Sequence, residues 1–189
     1  MATDTRARII TAAEDVVLTD GVARLTLEKA AARAGVSKGG VLYHFPTRSA
    51  LVAAMVARLT DDFDAALARH QQQPEHPGRP EHPGRPGGFV RAYVAESFAL
   101  PQGELEERGE RLGAAVLAAM ASEPELLEPL QAAFTRWQAR LEADTADPVR
   151  ATIARLAADG LWLSELFGMG PLTPDLRLRV RDELIRMVG

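Results

Sequence analysis

Along most of this 189-residue chain the apolar side chains recur every three or four positions, and no stretch of useful length alternates apolar with polar. That period belongs to helices packed by one face, so the fold is expected to be all-α. Caps and breakers set the boundaries. Thr26 precedes an alanine-rich run and predicts a helix over 27–34, which Gly35 ends, because glycine enters the left-handed conformation without steric cost. Ser37 opens a second short helix to His44, and a long one is expected from Arg48 to Gln73. Further helices are expected over 89–100 and 111–121, and from Glu123-Pro124 through Phe134, Trp137 and Leu141. The last two cover 149–167, after Asp147-Pro148, and 174–188.

Two of these helices form a pair with a specific geometry. Leu27, Ala30, Ala31, Ala34 and Val36 fall at helical spacing and would pack 27–34 steeply against 37–44, as in a helix-turn-helix. The second helix is too short to be stable alone. Its first turn holds Lys38, Gly39 and Gly40, where free backbone N–H groups and the positive end of the helix dipole suit an anion. Two glycines there cost helix stability, about 1 kcal/mol each relative to alanine. What they allow is close approach of backbone to another surface, here the base edges and thymine methyls of a DNA major groove. Tyr43 and His44 follow one turn along with groups suited to phosphate. Leu25, Val41, Leu42 and Phe45 are expected in the core.

These residues carry a resemblance: positions 6–55 resemble the N-terminal domain of the TetR/AcrR family of one-component repressors. The matching features are a first helix from about Thr5 to Asp20 with Gly21 at its end, Leu25-Thr26 opening the second, and the string GVSKGG. Tyr43-His44-Phe45, followed by Arg48 and Ala50-Leu51, completes them. The resemblance implies Thr26, Tyr43 and Arg48 as phosphate contacts, with Lys38, Gly39, Gly40 and His44 near bases or backbone. It also implies about nine helices, three of them in a DNA-binding domain at 1–47, with an effector-binding and dimerisation domain at 48–189. Many members carry an aromatic residue where this chain has Leu42, so one phosphate contact is missing or replaced.

Charge sharpens the picture. The whole chain is at −4, but residues 1–50 hold seven Lys/Arg and five Asp/Glu, net +2, which leaves 15 basic and 21 acidic residues, net −6, in the rest. The end expected to face DNA is the positive end. With no cysteine, disulfides and thiolate chemistry are excluded. No apolar stretch approaches the ~20 residues of a membrane span and the first residues do not form a signal peptide, so a cytoplasmic location without a membrane partner is expected. Residues 74–88 carry PEHPGR twice before PGG and read as an exposed loop. His76 and His82 lie in that repeat without preorganised geometry, so no metal site is expected there.

The larger domain offers an interface and a pocket. Helix 149–167 is apolar almost all round and therefore needs partners on more than one side. Ile153, Leu156, Ala157, Gly160, Leu163 and Phe167 form one stripe, with Ala157, Gly160 and Ser164 allowing close approach of a symmetry-related helix and Leu184 of the last helix completing a four-helix interface. A homodimer has a mechanical reason: two reading helices on a two-fold axis contact both halves of a palindrome, about 34–36 Å apart. Candidate pocket residues are Phe63, Phe89, Tyr93, Phe98, Met120, Phe134, Trp137 and Trp162, and the scarcity of buried charge points to an apolar or amphipathic effector. Glu96, Glu104 and Glu106 read as a solvated face. The chain lacks G-x-S-x-G, H-E-x-x-H and a phosphate-binding loop, so neither an enzyme nor a cofactor is expected. The reading is a ligand-responsive repressor of operator DNA, with a helical ligand-binding or adaptor protein without DNA binding as the alternative.

Overall fold

The computed structural model describes residues 2–72, 87–101, 103–120 and 124–189. The repeat within 74–88 and the side chain of Met120 lie outside them. The described residues form nine α-helices and no strand, an all-α fold. These are α1 (Ala2–Asp20), α2 (Leu27–Ala34), α3 (Lys38–His44), α4 (Arg48–Gln72), α5 (Gly88–Ser97), α6 (Glu104–Met120), α7 (Glu128–Ala143), α8 (Pro148–Leu166) and α9 (Pro174–Val188).

Local chemistry explains most of the boundaries. Asp147 and Thr173 accept hydrogen bonds from the N–H groups of Arg150 and Leu176, capping α8 and α9 ahead of prolines in their first turns. Two starts differ from expectation. α6 begins at Glu104 rather than Arg111, because Glu104, Glu106 and Glu107 are good helix formers placed where the dipole favours negative charge. Glu128 opens α7 only after a 3₁₀ turn over Pro124–Leu127.

Contacts divide the chain into two compact units, residues 1–60 with 101–132, and residues 61–100 with 133–189. The division passes through α4 after Thr60 and gives α6 to the N-terminal helices, so it does not coincide with the boundary expected at 47/48. In the first unit, Ile9, Ala13 and Val17 of α1 are buried among residues of α2, the front of α4 and α6, together with Val41 and Phe45. In the second, Phe89, Tyr93 and Val94 of α5 pack with Trp137 and Leu141 of α7, with Ala151, Ala154 and Ala158 of α8, and with Leu184 of α9. Three alanines on one stripe of α8 let its backbone approach that core closely. No described helix is long and apolar enough to cross a membrane.

Candidate nucleic-acid interface

The helix-turn-helix is built as its residues dictate. Thr26 Oγ1 accepts from Lys29 N at 3.1 Å and Ser37 Oγ from Gly40 N at 3.1 Å, so each helix begins on a hydroxyl cap. Between them Gly35 adopts φ 65°, ψ 37°, and the N–H groups of Gly35 and Val36 close on the carbonyls of Ala32 and Ala31. A side chain at that left-handed position would strain the turn. The turn then aims α3 outward.

Only Val41 and Phe45 anchor that end of the hairpin, at 0% and 3% exposure. Of the residues between them, Leu42 and Tyr43 face away and His44 is half-buried. Tyr43 is 84% exposed, and Leu42 at 41% is corrected from a core position to a surface one. The reason is angular: Val41 and Phe45, four residues apart, share a face, and Leu42 lies about 100° round the helix from Val41. Lys38 and Gly39 are exposed, Gly40 and His44 half-buried, and Thr26 exposed at the neighbouring helix start. The His44 ring meets Tyr43 edge to face, centroids 5.1 Å apart, and lies tilted 6.4 Å from Phe45. Thus six of the seven residues implied at the interface come to one end of one hairpin.

The glycines are informative because nothing inside the chain demands them. A Cβ on Gly39 would meet only Ser37 Oγ at 3.9 Å, and one on Gly40 would meet Ser37 Oγ at 3.4 Å and Val36 Cβ at 3.8 Å. Neither has positive φ. Their cost to the helix is therefore not repaid by intrachain packing, which leaves the outer surface as the reason for them.

Two electrostatic features were not legible in the sequence. Lys38 Nζ lies 2.6 Å from Glu28 Oε1 on α2, and the hydrogen bond from Lys38 holds the Glu28 carboxyl below its usual range. The two positions are ten apart, so no helical spacing announces the pair. Arg48, implied as a phosphate contact, is half-buried, and its Nε and Nη2 donate to the carbonyls of Leu25 at 3.1 Å and Val22 at 2.9 Å. Those carbonyls sit beside the 3₁₀ turn Val22–Arg24, which ends before α2. Arg48 thus braces the entry to the hairpin.

In the second unit, α8 presents Val149, Ile153, Leu156, Leu163 and Phe167 to the outside, each at least 40% exposed. Ala157 and Gly160 lie on the same exposed stripe, Ser164 is half-buried, and a Cβ on Gly160 would meet nothing within 4 Å. Leu184, expected with them, is turned the other way, into the core at 8% exposure, because α9 packs its Arg177, Val180, Leu184 and Val188 positions inward. The outward apolar residues of α9 are Leu176 and Leu178.

The candidate pocket residues cluster in part. Phe63, Tyr93, Phe134 and Trp137 form one ring cluster, with Phe63 and Trp137 centroids 4.9 Å apart and Phe63 and Tyr93 5.3 Å apart. Trp137 Nε1 donates to Asp64 Oδ1 at 2.7 Å, and Tyr93 Oη to Asp159 Oδ1 at 2.6 Å, with Arg155 on the other Asp159 oxygen at 2.6 Å. Burial pushes both the Tyr93 hydroxyl and the Asp159 carboxyl above their ordinary pKa values; the neighbouring Asp159 carboxylate raises Tyr93 further, whereas Tyr93 and Arg155 oppose the shift of Asp159. Phe89 and Phe98 are buried in the same core, with the guanidinium groups of Arg140 and Arg177 over their rings, and Trp162 is half-buried on α8.

Comparison with known proteins agrees with this layout. Residues 9–55 match the family described as bacterial regulatory proteins, tetR family. Residues 87–189, over half the chain, match the tetracyclin repressor-like C-terminal domain. The HTH-type transcriptional regulator TtgR of Pseudomonas putida is 38% identical over 74 residues, 39% of this chain and 35% of that protein, so the match spans about a third of the length of this curated relative. The multidrug binding protein EbrR, solved with imidazole, is 27% identical with a TM-score of 0.68, covering 97% of this chain and 94% of its own. A TetR family member from Streptomyces coelicolor A3 is 26% identical with a TM-score of 0.70 over 98% of each chain. With one domain match spanning the helix-turn-helix and the other the C-terminal helices, this chain belongs to the TetR family of transcriptional regulators, proteins that act by regulation and not as enzymes.

Proposed function

We propose that the chain is a ligand-responsive repressor that binds palindromic double-stranded operator DNA as a cytoplasmic homodimer and leaves it when a small apolar or amphipathic effector binds. The observation that carries this reading is α3: a capped, outward-facing helix whose paired glycines serve no packing need and whose exposed residues include Lys38 and Tyr43. Thr26, Lys38, Gly39, Gly40, Tyr43 and His44 form the DNA surface, with Arg48 holding the hairpin at the angle it needs. The outward stripe of α8, with Leu176 and Leu178, is the face for a second copy. The domains are taken as 1–47 for reading and 48–189 for effector binding and dimerisation. Phe63 and Phe134, the half-buried members of the ring cluster, are where an aromatic or amphipathic effector enters. EbrR, solved with a small aromatic ligand, supports an effector of this kind.

The test is selection of duplexes from a random DNA pool by the full-length protein, followed by gel shifts over a salt series. A palindromic consensus, bound roughly a thousandfold more weakly at ~200 mM than at ~50 mM salt if about six phosphates are contacted, supports the reading. No enrichment, or affinity indifferent to salt, rejects it in favour of a protein that binds ligand without DNA.

A further inference from the structure

Glu14 is the one carboxylate buried among the described residues, at 2% exposure, and the DNA surface makes no use of it. It sits on α1 beside Asp15, and arginines from three other helices face the pair. Arg58 of α4 donates to Glu14 Oε2 and, at 3.0 Å, to Thr11 Oγ1. Arg108 of α6 lies 3.6 Å from the same Glu14 oxygen and donates to Asp15 Oδ1 at 2.7 Å. The other oxygen of Asp15 faces Arg33 Nε of α2 at 3.7 Å. Asp15 therefore connects α6 to α2, one oxygen to each. Two turns earlier on α1, Arg8 Nη2 donates to Ala34 O at 2.7 Å, the last carbonyl of α2 before the Gly35 turn, and the Arg6 guanidinium lies 5.3 Å from the centre of the Phe45 ring. One helix thus carries an acidic end gripped by α4 and α6 and a basic end that grips the reading hairpin.

We infer that the Glu14–Asp15 pair is the joint that sets the pose of the α2–α3 hairpin, and that Arg108 of α6 is a positioning residue for DNA reading although it lies far along the chain from α3. Burial of a carboxylate is costly unless it is paired, so Glu14 requires its arginines and fixes where they can be. The Arg33 contact, at 3.7 Å between an exposed guanidinium and a half-buried carboxylate, contributes little energy by itself. The stiff links are Arg108 to Asp15 and Arg8 to Ala34, both at 2.7 Å. A shift of α6 that carries Arg108 away leaves the buried Glu14 carboxylate paired with Arg58 alone, and a resulting rotation of α1 would pass through Arg8 to the turn that aims α3. The chain enters α6 from the second unit and returns there within α7, so this joint lies on a covalent route between the two.

This inference rests on the DNA-binding reading only for one of its two tests. Full-length Arg108→Met, Arg108→Lys and, as a control for lost charge, Arg111→Met on the exposed side of α6 are compared with the unaltered protein. The first measurement is gel-shift affinity for the duplex that the unaltered protein selects; the second is amide hydrogen exchange across unit one without DNA. The expectation is an affinity loss of about tenfold in Arg108→Met, largely restored in Arg108→Lys and absent in Arg111→Met. Exchange should quicken over residues 34–45 while the buried amides of α1 and α4 keep their protection. Unchanged exchange over 34–45 overturns the inference, as does uniform loosening of the whole unit that lysine fails to reverse. If no duplex is selected, the DNA reading fails, and the exchange pattern alone decides whether Arg108 positions the hairpin.

Discussion

At the scale of single residues the reading surface holds two opposed terms. Lys38 is the cation at the start of α3, so Lys38→Ala should weaken operator binding by about 1–3 kcal/mol, measured by gel shift at physiological salt. Glu28 holds that ammonium at 2.6 Å, and under the proposed function it would have to release it for Lys38 to meet DNA. Glu28→Gln should therefore tighten binding by up to about fivefold, since exposed ion pairs are worth roughly 0.2–1 kcal/mol; weaker binding would show that Glu28 helps place Lys38. The glycines separate fold from function. Gly39→Ala and Gly40→Ala find room within the chain and should raise the thermal midpoint, each by up to about 1 kcal/mol of stability, while operator affinity falls. A variant that gains stability and keeps its affinity would remove the close-approach argument. The caps and the left-handed Gly35 could be read from residue types alone, because a hydroxyl before an apolar run and a glycine after it each have few alternatives. Leu42 and Arg48 could not. The side of α3 that meets the core depends on how α3 crosses α2, and the carbonyls that Arg48 meets lie more than twenty residues away in sequence.

Among elements, α8 shows what periodicity does and does not encode. Its nearly all-round apolar character was legible, and the structure places Ala151, Ala154 and Ala158 on the stripe that meets α5 and α9. What the pattern leaves open is which stripe is covered within one chain. The structure leaves Ile153, Leu156, Leu163 and Phe167 outside and takes Leu184 inside, a choice made by the crossing of α8 and α9. Gly160 lies midway along the open stripe with free space before it, so Gly160→Leu should keep the protomer folded by circular dichroism yet lower its self-association in sedimentation velocity. A dimer of unchanged strength would move the interface to another face. The start of α6 was missed for a different reason. Its opening residues are nearly all charged, so they give no apolar period, and their helicity rests on propensity and the dipole.

For the whole molecule the two units have separate cores. The first is held by its own core and by the Glu14 joint, the second by the ring cluster and its two carboxylates. If the α8 face closes on a second copy, operator occupancy should fall on dilution more steeply than for a single-site monomer, and Gly160→Leu should shift that fall to higher concentration; quantitative gel shifts over a dilution series check it. The anchoring of α3 has an evolutionary consequence. Because Val41 and Phe45 bear the packing, most of the helix can mutate without unfolding the protein, so operator preference can drift on a stable scaffold. If the chain acts as the proposed homodimer on a palindrome, two-fold symmetry constrains that drift, since every substitution in α3 would meet both half-sites at once. A new specificity must therefore be matched by paired changes in the operator, and mixed dimers of old and new chains, reading one half each, offer a passable intermediate between them.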